Sequence, residues 1–434
     1  MKFASTRGRA PAVGLGSALL AGLAPDGGLY VPESLPILDA TNFRDCRTLA
    51  QTGARLLSPF FAGDPLAEEL PEICAEAFDF PTPLVALSTP SDFVLELFHG
   101  PSSAFKDVGA RFLAACMRRL QPVGAQPLTI LVATSGDTGA AVAAAFHGLP
   151  SLRVAILYPD GRVSPRQAHQ LGSFGGNVLA YAVEGSFDDC QALAKHALAD
   201  SDLQAEIPLS SANSISLGRL LPQMSYYAHA ALKHHRLTGA PLNFVVPTGN
   251  LGNAMAAALA RTMGLPIGAI ARASNANAVL PEFFAGGEYR PRDSIATLAN
   301  AMDVGAPSNF ERLCWLFPDE TTLRSSFEAR AVSDPEIATT IATEYSRGGR
   351  TFCPHTATAV RFLRDLREQG RGGEWAVVAT AHPAKFEAIV EPLIGESIPL
   401  PASLVAMLGR PSAAESLPAD YPTLRSRLRE RVTF

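Results

Sequence analysis

One lysine stands among small residues in His99-Gly100-Pro101-Ser102-Ser103-Ala104-Phe105-Lys106-Asp107-Val108-Gly109-Ala110-Arg111-Phe112, directly after a strand-like run and at the start of an apolar helix. The next lysine is Lys195, so Lys106 is not part of a basic patch. A partly desolvated amine loses its proton more readily and can form a Schiff base with a carbonyl. The bland alternative is an exposed Lys106 beside an Asp107–Arg111 pair at i,i+4. Two glycine loops offer a second kind of chemistry. Leu131-Val132-Ala133-Thr134-Ser135-Gly136-Asp137-Thr138-Gly139 and Phe244-Val245-Val246-Pro247-Thr248-Gly249-Asn250-Leu251-Gly252-Asn253 share one order of parts: apolar strand, glycine-bearing turn, alanine-rich helix. Glycine lets the backbone approach a ligand, and the free amides at a helix N-terminus attract an anion. Either loop alone could simply join strand to helix; two of them, with Ser, Thr and Asn among the glycines, point to bound anions. Neither has the spacing of a dinucleotide or nucleoside-triphosphate loop.

These residues need a frame that brings several loops to one edge. Strand-like runs at Phe93–Phe98, Leu128–Ala133, Val154–Tyr158, Val178–Val183, Asn243–Pro247, Ile267–Ala271 and Trp375–Ala379 alternate with helical stretches such as Phe187–Ala199 and Leu217–Leu237. That alternation predicts an α/β class with parallel sheets, whose carboxyl edge is where ligands bind. Residues 1–85 read as a helical cap, with helices over Cys46–Leu57 and Leu66–Ala77 ended by Pro81-Thr82-Pro83. A catalytic region over 86–395 follows, then a peripheral segment over 396–434. Lys2, Arg7 and Arg9 precede an uncharged run, Ala10–Ala24, with the outline of a signal peptide. Glycines and a proline dilute that run, and it leads straight into the turn and strand Pro25–Pro32, so retention in the folded domain is expected.

Composition removes several classes. With 36 Lys+Arg against 41 Asp+Glu, the net charge of −5 lacks the basic excess that nucleic-acid binding needs. Hydrophobic residues at 47% exclude a disordered chain, and no uninterrupted apolar run reaches the roughly 18 residues of a membrane span. The six cysteines form no CxxC pair, so free thiols are expected and no metal is called for. Cys353 and His355, the nearest approach to a metal pair, read as ordinary loop residues.

Taken in order, Ser103-Ala104-Phe105-Lys106-Asp107, Ala133-Thr134-Ser135-Gly136-Asp137-Thr138-Gly139, Ser211-Ala212-Asn213-Ser214-Ile215, Gly249-Asn250-Leu251-Gly252 and Thr380-Ala381-His382-Pro383-Ala384-Lys385-Phe386 resemble the threonine synthases of the bacterial and fungal kind. Pro25–Pro32 and Asn300–Gly305 extend the resemblance along nearly the whole chain. It implies a tryptophan-synthase-β-like, fold type II pyridoxal 5′-phosphate enzyme, with two open parallel-sheet domains, a helical N-terminal cap and a smaller mobile subdomain at roughly 145–210. The implied reaction is β,γ-elimination and replacement, taking O-phospho-L-homoserine and water to L-threonine and phosphate, the last step of threonine biosynthesis. Lys106 is the implied Schiff-base lysine and proton shuttle. Gly249, Asn250, Leu251 and Gly252 are implied cofactor-phosphate ligands, and Thr380 the partner of the pyridine nitrogen. Ser135, Gly136, Asp137, Thr138 and Gly139 would receive the substrate carboxylate. Asn213, Ser214 and Arg219 would hold the substrate phosphate, with Thr138 and Lys385 as further candidates. An acidic Asp137 near two anions must be protonated, turned away or paired. The implied setting is cytoplasmic, with a small-molecule substrate, no nucleic acid and no membrane, as a monomer or homodimer.

Overall fold

Every residue of Leu128–Ala133 is buried, and successive side chains enter different cores. Ile130 and Val132 belong to a large core that extends to the cap helices, whereas Leu131 and Ala133 belong to a separate cluster. Phe244 and Val246 likewise part from Val245. A strand apolar on both faces must lie inside a sheet covered by helices on both sides, which is the parallel arrangement. The computed structural model describes residues 1–122 and 124–430 and shows this.

Among the described residues the strands are β1 (Phe3–Ser5), β2 (Tyr30–Pro32), β3 (Leu84–Ala86), β4 (Asp92–Glu96), β5 (Leu128–Ala133), β6 (Leu152–Pro159), β7 (Val178–Glu184), β8 (Leu209–Ser211), β9 (Leu242–Pro247), β10 (Ile267–Ser274), β11 (Glu328–Ala331), β12 (Trp375–Ala379) and β13 (Glu415–Pro418). They form a six-stranded sheet ordered β11-β10-β9-β12-β4-β3, a five-stranded sheet ordered β13-β7-β6-β5-β8, and the ribbon β1-β2. In the two large sheets all pairings are parallel except β3 with β4. The glycine loops and the lysine loop all leave the carboxyl ends of central strands: β4, β9 and β12 in one sheet, β5 in the other.

Several expectations change. The five-stranded sheet begins at Leu128, ahead of the expected 145–210 range. The segment expected to be peripheral supplies its edge, with Glu415–Pro418 beside Tyr181–Glu184. The helix expected over Leu217–Leu237 breaks into Leu217–Leu220, a 3₁₀ turn Leu221–Gln223 and Met224–Thr238, because Pro222 has no N–H to continue the ladder. In the cap, the capping box of Thr48 and Gln51 starts one helix at Leu49, and Leu70–Ala77 carries its proline in the first turn. Leu15–Ala21, within the run with a signal-like outline, is a helix whose Leu19 packs at Gly218 and whose Gly16 lies against Leu120. No described helix is long and apolar enough to cross a membrane.

Candidate active site

The loops after β4 and β12 are stitched together. Leu97 N–H donates to Ala379 O (3.0 Å), Phe105 N–H to Thr380 O (2.8 Å) and His382 N–H to Ser103 O (3.0 Å). Ser103 takes a left-handed turn (φ 56°) to enter the helix Lys106–Leu120. Lys106 and Thr380, far apart in sequence, therefore line one cavity. The Lys106 amine lies 4.6 Å over the Phe105 ring. Burial, then the nearby charge of Arg219, lowers its pKa from 10.5 to about 8 against the pull of Asp137. The alternative Asp107–Arg111 pair does not form. Asp107 turns inward to accept the Ser102 N–H (2.9 Å), and Arg111 pairs with Asp79 (2.8 Å).

On the other side, β9 runs into Thr248-Gly249-Asn250-Leu251 and the helix Gly252–Thr262. Leu251 holds φ 64°, a conformation costing about 1–2 kcal/mol for a residue with a Cβ. Such a turn lets successive amides converge on one point. The amides of Gly249, Asn250, Leu251 and Gly252 have no hydrogen-bond acceptor among the described residues. Asn250 fixes the loop through its side chain: Nδ2 donates to Ser214 Oγ (2.8 Å), and Oδ1 accepts from Ser308 N (2.5 Å). Asn253, not singled out by sequence, accepts from Tyr226 Oη (2.5 Å) and Tyr227 Oη (2.7 Å). Its buried Nδ2 is left without a partner at the cavity wall.

Arg219 is 1% exposed, pairs with no carboxylate among the described residues, and donates Nη1 to Ala212 O (2.5 Å) while Nε has no acceptor. Burial lowers its pKa from 12.5 to about 10, so it remains a cation at neutral pH. Gly109 allows the approach: a Cβ there would sit 2.8 Å from Arg219 O and 2.9 Å from Nε. Ser214 joins Arg219 in the cavity lining. Asn213 does not; its backbone carbonyl accepts from Ser216 N–H (3.0 Å), and its buried side-chain Oδ1 meets no donor among the described residues.

The second glycine loop is less open than expected. Gly136 and Gly139 both give their N–H to Thr134 Oγ1 (3.0 and 2.9 Å), so two amides expected to meet a carboxylate are satisfied internally. Ser135, Gly136 and Thr138 do not line the cavity, whereas Asp137 does. Asp137 is paired: its Oδ1 accepts from Lys385 Nζ (2.7 Å) and Gln167 Nε2 (3.0 Å). Burial would raise its carboxyl, but the Lys385 charge and these hydrogen bonds hold it below the ordinary 3.8. Lys385, fully buried and also donating to Ser102 O (2.8 Å), is thus a counter-ion and not a phosphate ligand.

An amine near neutrality, a cradle of free amides at a helix start and an unpaired buried guanidinium fit a phosphorylated aldehyde cofactor and a second anion. Residues 2–78 match the model "Threonine synthase N terminus", 76–384 "Pyridoxal-phosphate dependent enzyme" and 356–427 "Threonine synthase, C-terminal". The chain belongs to the threonine synthase family. The threonine synthase of Serratia marcescens is 40% identical over 432 residues, covering 98% of each chain. The crystal structure of the Escherichia coli threonine synthase superposes with a TM-score of 0.92 at 38% identity, covering 99% of this chain and 100% of that one. The Brucella melitensis threonine synthase, solved with pyridoxal phosphate bound, gives 0.91 at 36% identity, covering 100% of both.

To serve a threonine synthase as a phosphate cradle, the Gly249 loop would have to approach the cofactor phosphate closely. At Gly249 a Cβ would lie 2.8 Å from Met302 Cα, a backbone atom that can yield only if the turn Asn300–Met302 moves. Gly249→Ala should weaken pyridoxal 5′-phosphate binding by roughly 5- to 150-fold, the range for overpacking by 1–3 kcal/mol. Equilibrium dialysis measures this directly, and an unchanged Kd would remove the loop from the cradle. Lys385→Met tests the buried pair. Stranding a buried carboxylate costs about 3–5 kcal/mol, so the variant should melt several degrees lower at pH 7. Because the folded-state pKa of Asp137 is depressed, its stabilisation is fully present above about pH 4 and is lost as pH falls through the folded value. The stability gap between wild type and Lys385→Met should therefore narrow from pH 7 to pH 3; a constant gap in urea titrations would contradict the assignment.

Proposed function

We propose that Lys106, the Gly249–Gly252 loop, Thr380 and Arg219 divide the threonine synthase reaction among them. The reaction converts O-phospho-L-homoserine and water to L-threonine and phosphate, the closing step of threonine biosynthesis. The observation that carries the residue assignment is one cavity lined by Lys106, by the Gly249 loop, whose amides meet no acceptor among the described residues, and by Arg219, whose buried Nε likewise meets none. Pyridoxal 5′-phosphate, when bound, supplies an aldehyde for the substrate's amino group and a ring that accepts electron density from the reacting carbons. Thr380 would offer its neutral hydroxyl to the ring nitrogen, and the Gly249 loop would hold the phosphate. Lys106 takes the proton from Cα and relays protons among Cα, Cβ and Cγ, its lowered pKa suiting both directions of transfer. Arg219 with Ser214 holds the substrate phosphate and carries its charge as the Cγ–O bond breaks. The hydroxyl then forms at Cβ from water.

Asp137 remains ionised beside Lys385 and sets the charge of the carboxylate-binding side, where Ser135, Gly136 and Thr138 lie behind it. The smaller sheet carrying this loop is the part we infer to close on the larger one during turnover. The setting is inferred to be cytoplasmic, with a monomer or homodimer and no nucleic-acid partner; six unpaired cysteines and the absence of any basic excess support it. The decisive assay measures threonine against 2-oxobutyrate from phosphohomoserine with purified, cofactor-loaded protein. Threonine with equimolar phosphate is expected; oxobutyrate as the main product would make this a phospholyase or dehydratase.

A further inference from the structure

His355 is a titratable side chain of this cavity that has no part in the proposed reaction. It sits in the first turn of the helix Pro354–Glu368, is 3% exposed and lines the same cavity as Lys106, Asp137 and Thr380. Its Nε2 accepts the Ala301 N–H at 3.0 Å. A ring nitrogen that accepts from an amide carries no proton, so in the neutral ring the proton is on Nδ1. That Nδ1–H is buried and meets no acceptor among the described residues. The ring cannot rotate away without losing Ala301 and its packing against Phe386, whose centroid is 5.0 Å off. Ala301 itself belongs to the turn Asn300–Met302. That turn lies against Gly249 through Met302, and its Asn300 Nδ2 reaches Ser135 O at 3.5 Å. The imidazole is thus tied to both glycine loops, with one donor left over.

A buried donor without a partner costs about 1–3 kcal/mol, which a ligand oxygen would relieve. Resting on the reading of this cavity as the cofactor and substrate site, we infer that the Nδ1–H of His355 donates a hydrogen bond to an anionic oxygen bound beside Lys106 and Asp137. The oxygen belongs to the cofactor's phenol or to the substrate's carboxylate, both deprotonated at neutral pH when bound near cations. Burial and the charges of Lys106 and Lys385 lower the pKa of His355 to about 4, while Asp137 opposes them. His355 therefore acts as a fixed neutral donor across the physiological range and takes no part as a proton-exchanging base.

The test compares His355→Leu, which has no donor, with His355→Asn, whose Nδ2 reproduces the position of the imidazole Nδ1. Two readouts are needed: the pH titration of the bound cofactor's visible absorption without substrate, and the Kd of a phosphonate analogue of the substrate. If the acceptor is on the cofactor, His355→Leu should shift the spectral pKa up by about one unit and His355→Asn should restore it. If it is on the substrate, the titration stays put, the analogue's Kd rises tenfold or more in His355→Leu, and His355→Asn recovers most of it. Unchanged values in His355→Leu overturn the inference, as do equal losses in both variants, which would mark a packing role. Wild-type protein that binds no cofactor would instead refute the reading of the cavity, separately from His355.

Discussion

Lys106→Ala should reduce phosphate release from O-phospho-L-homoserine by a factor on the order of 10²–10⁴ or more, since on the proposed division of roles it removes both the covalent anchor and the acid–base group. Borohydride treatment of wild-type holoenzyme should trap the cofactor on the protein, and the variant should retain none. Residual activity should rise when a small primary amine is added, because the cavity around Lys106 is walled by Phe105, Thr380 and the Gly249 loop and stays open to such a guest. In wild-type apoenzyme, the rate of cofactor capture should climb with a half-rise near pH 8, where the buried amine loses its proton, and not near 10.5. A variant losing less than tenfold of its turnover would show that another amine does the work. Asp107→Asn serves as a neighbour control, since Asp107 faces the Ser102 amide and not the cavity.

The second large effect is at Arg219. Arg219→Gln removes a buried cation of the cavity wall that pairs with no carboxylate among the described residues, and the expected loss in kcat/KM is on the order of 30-fold to a few thousand-fold, corresponding to about 2–5 kcal/mol for truncating a buried charge contact. The absorption of bound cofactor should persist, which separates substrate binding from cofactor binding. There is also a remote signature. Arg219 is one of the charges that depress the Lys106 amine, so its removal should move the half-rise of cofactor capture above pH 8. An Arg219→Gln enzyme with normal kcat/KM would return the guanidinium to a packing role beneath Gly109.

Much of this site is legible in sequence because its signals are local. A strand, a glycine turn and a helix start announce the Gly249 loop, and an isolated lysine after β4 announces Lys106. The pairing of Asp137 is not legible in that way. Its counter-ion, Lys385, is held in place by Ser102 O at a sequence separation of 283, and only the joining of the loops after β4 and β12 brings them together. His355 escaped because one histidine after a proline at a helix start has no spacing to betray it; its role depends on the Ala301 amide reaching its ring. The glycine pattern of 134–139 does not show that the Thr134 hydroxyl intercepts two of that loop's amides, because a hydroxyl's direction is set by the folded turn. Short strands such as β8 and β13, three and four residues long, carry too few alternations for a period to show.

The strand β13 has a consequence for how the molecule is made. It completes the smaller sheet by lying on β7, and Ser416 reaches Glu184 across a sequence separation of 232 residues. At the ribosomal rate of roughly 5–20 residues per second, β7 emerges about 12–46 s before the strand that covers it. During that interval a bare strand edge is presented to every neighbouring nascent chain, the arrangement most prone to wrong pairing. Glu415–Pro418 therefore act as the closing seam of a domain whose other strands leave the ribosome well before them.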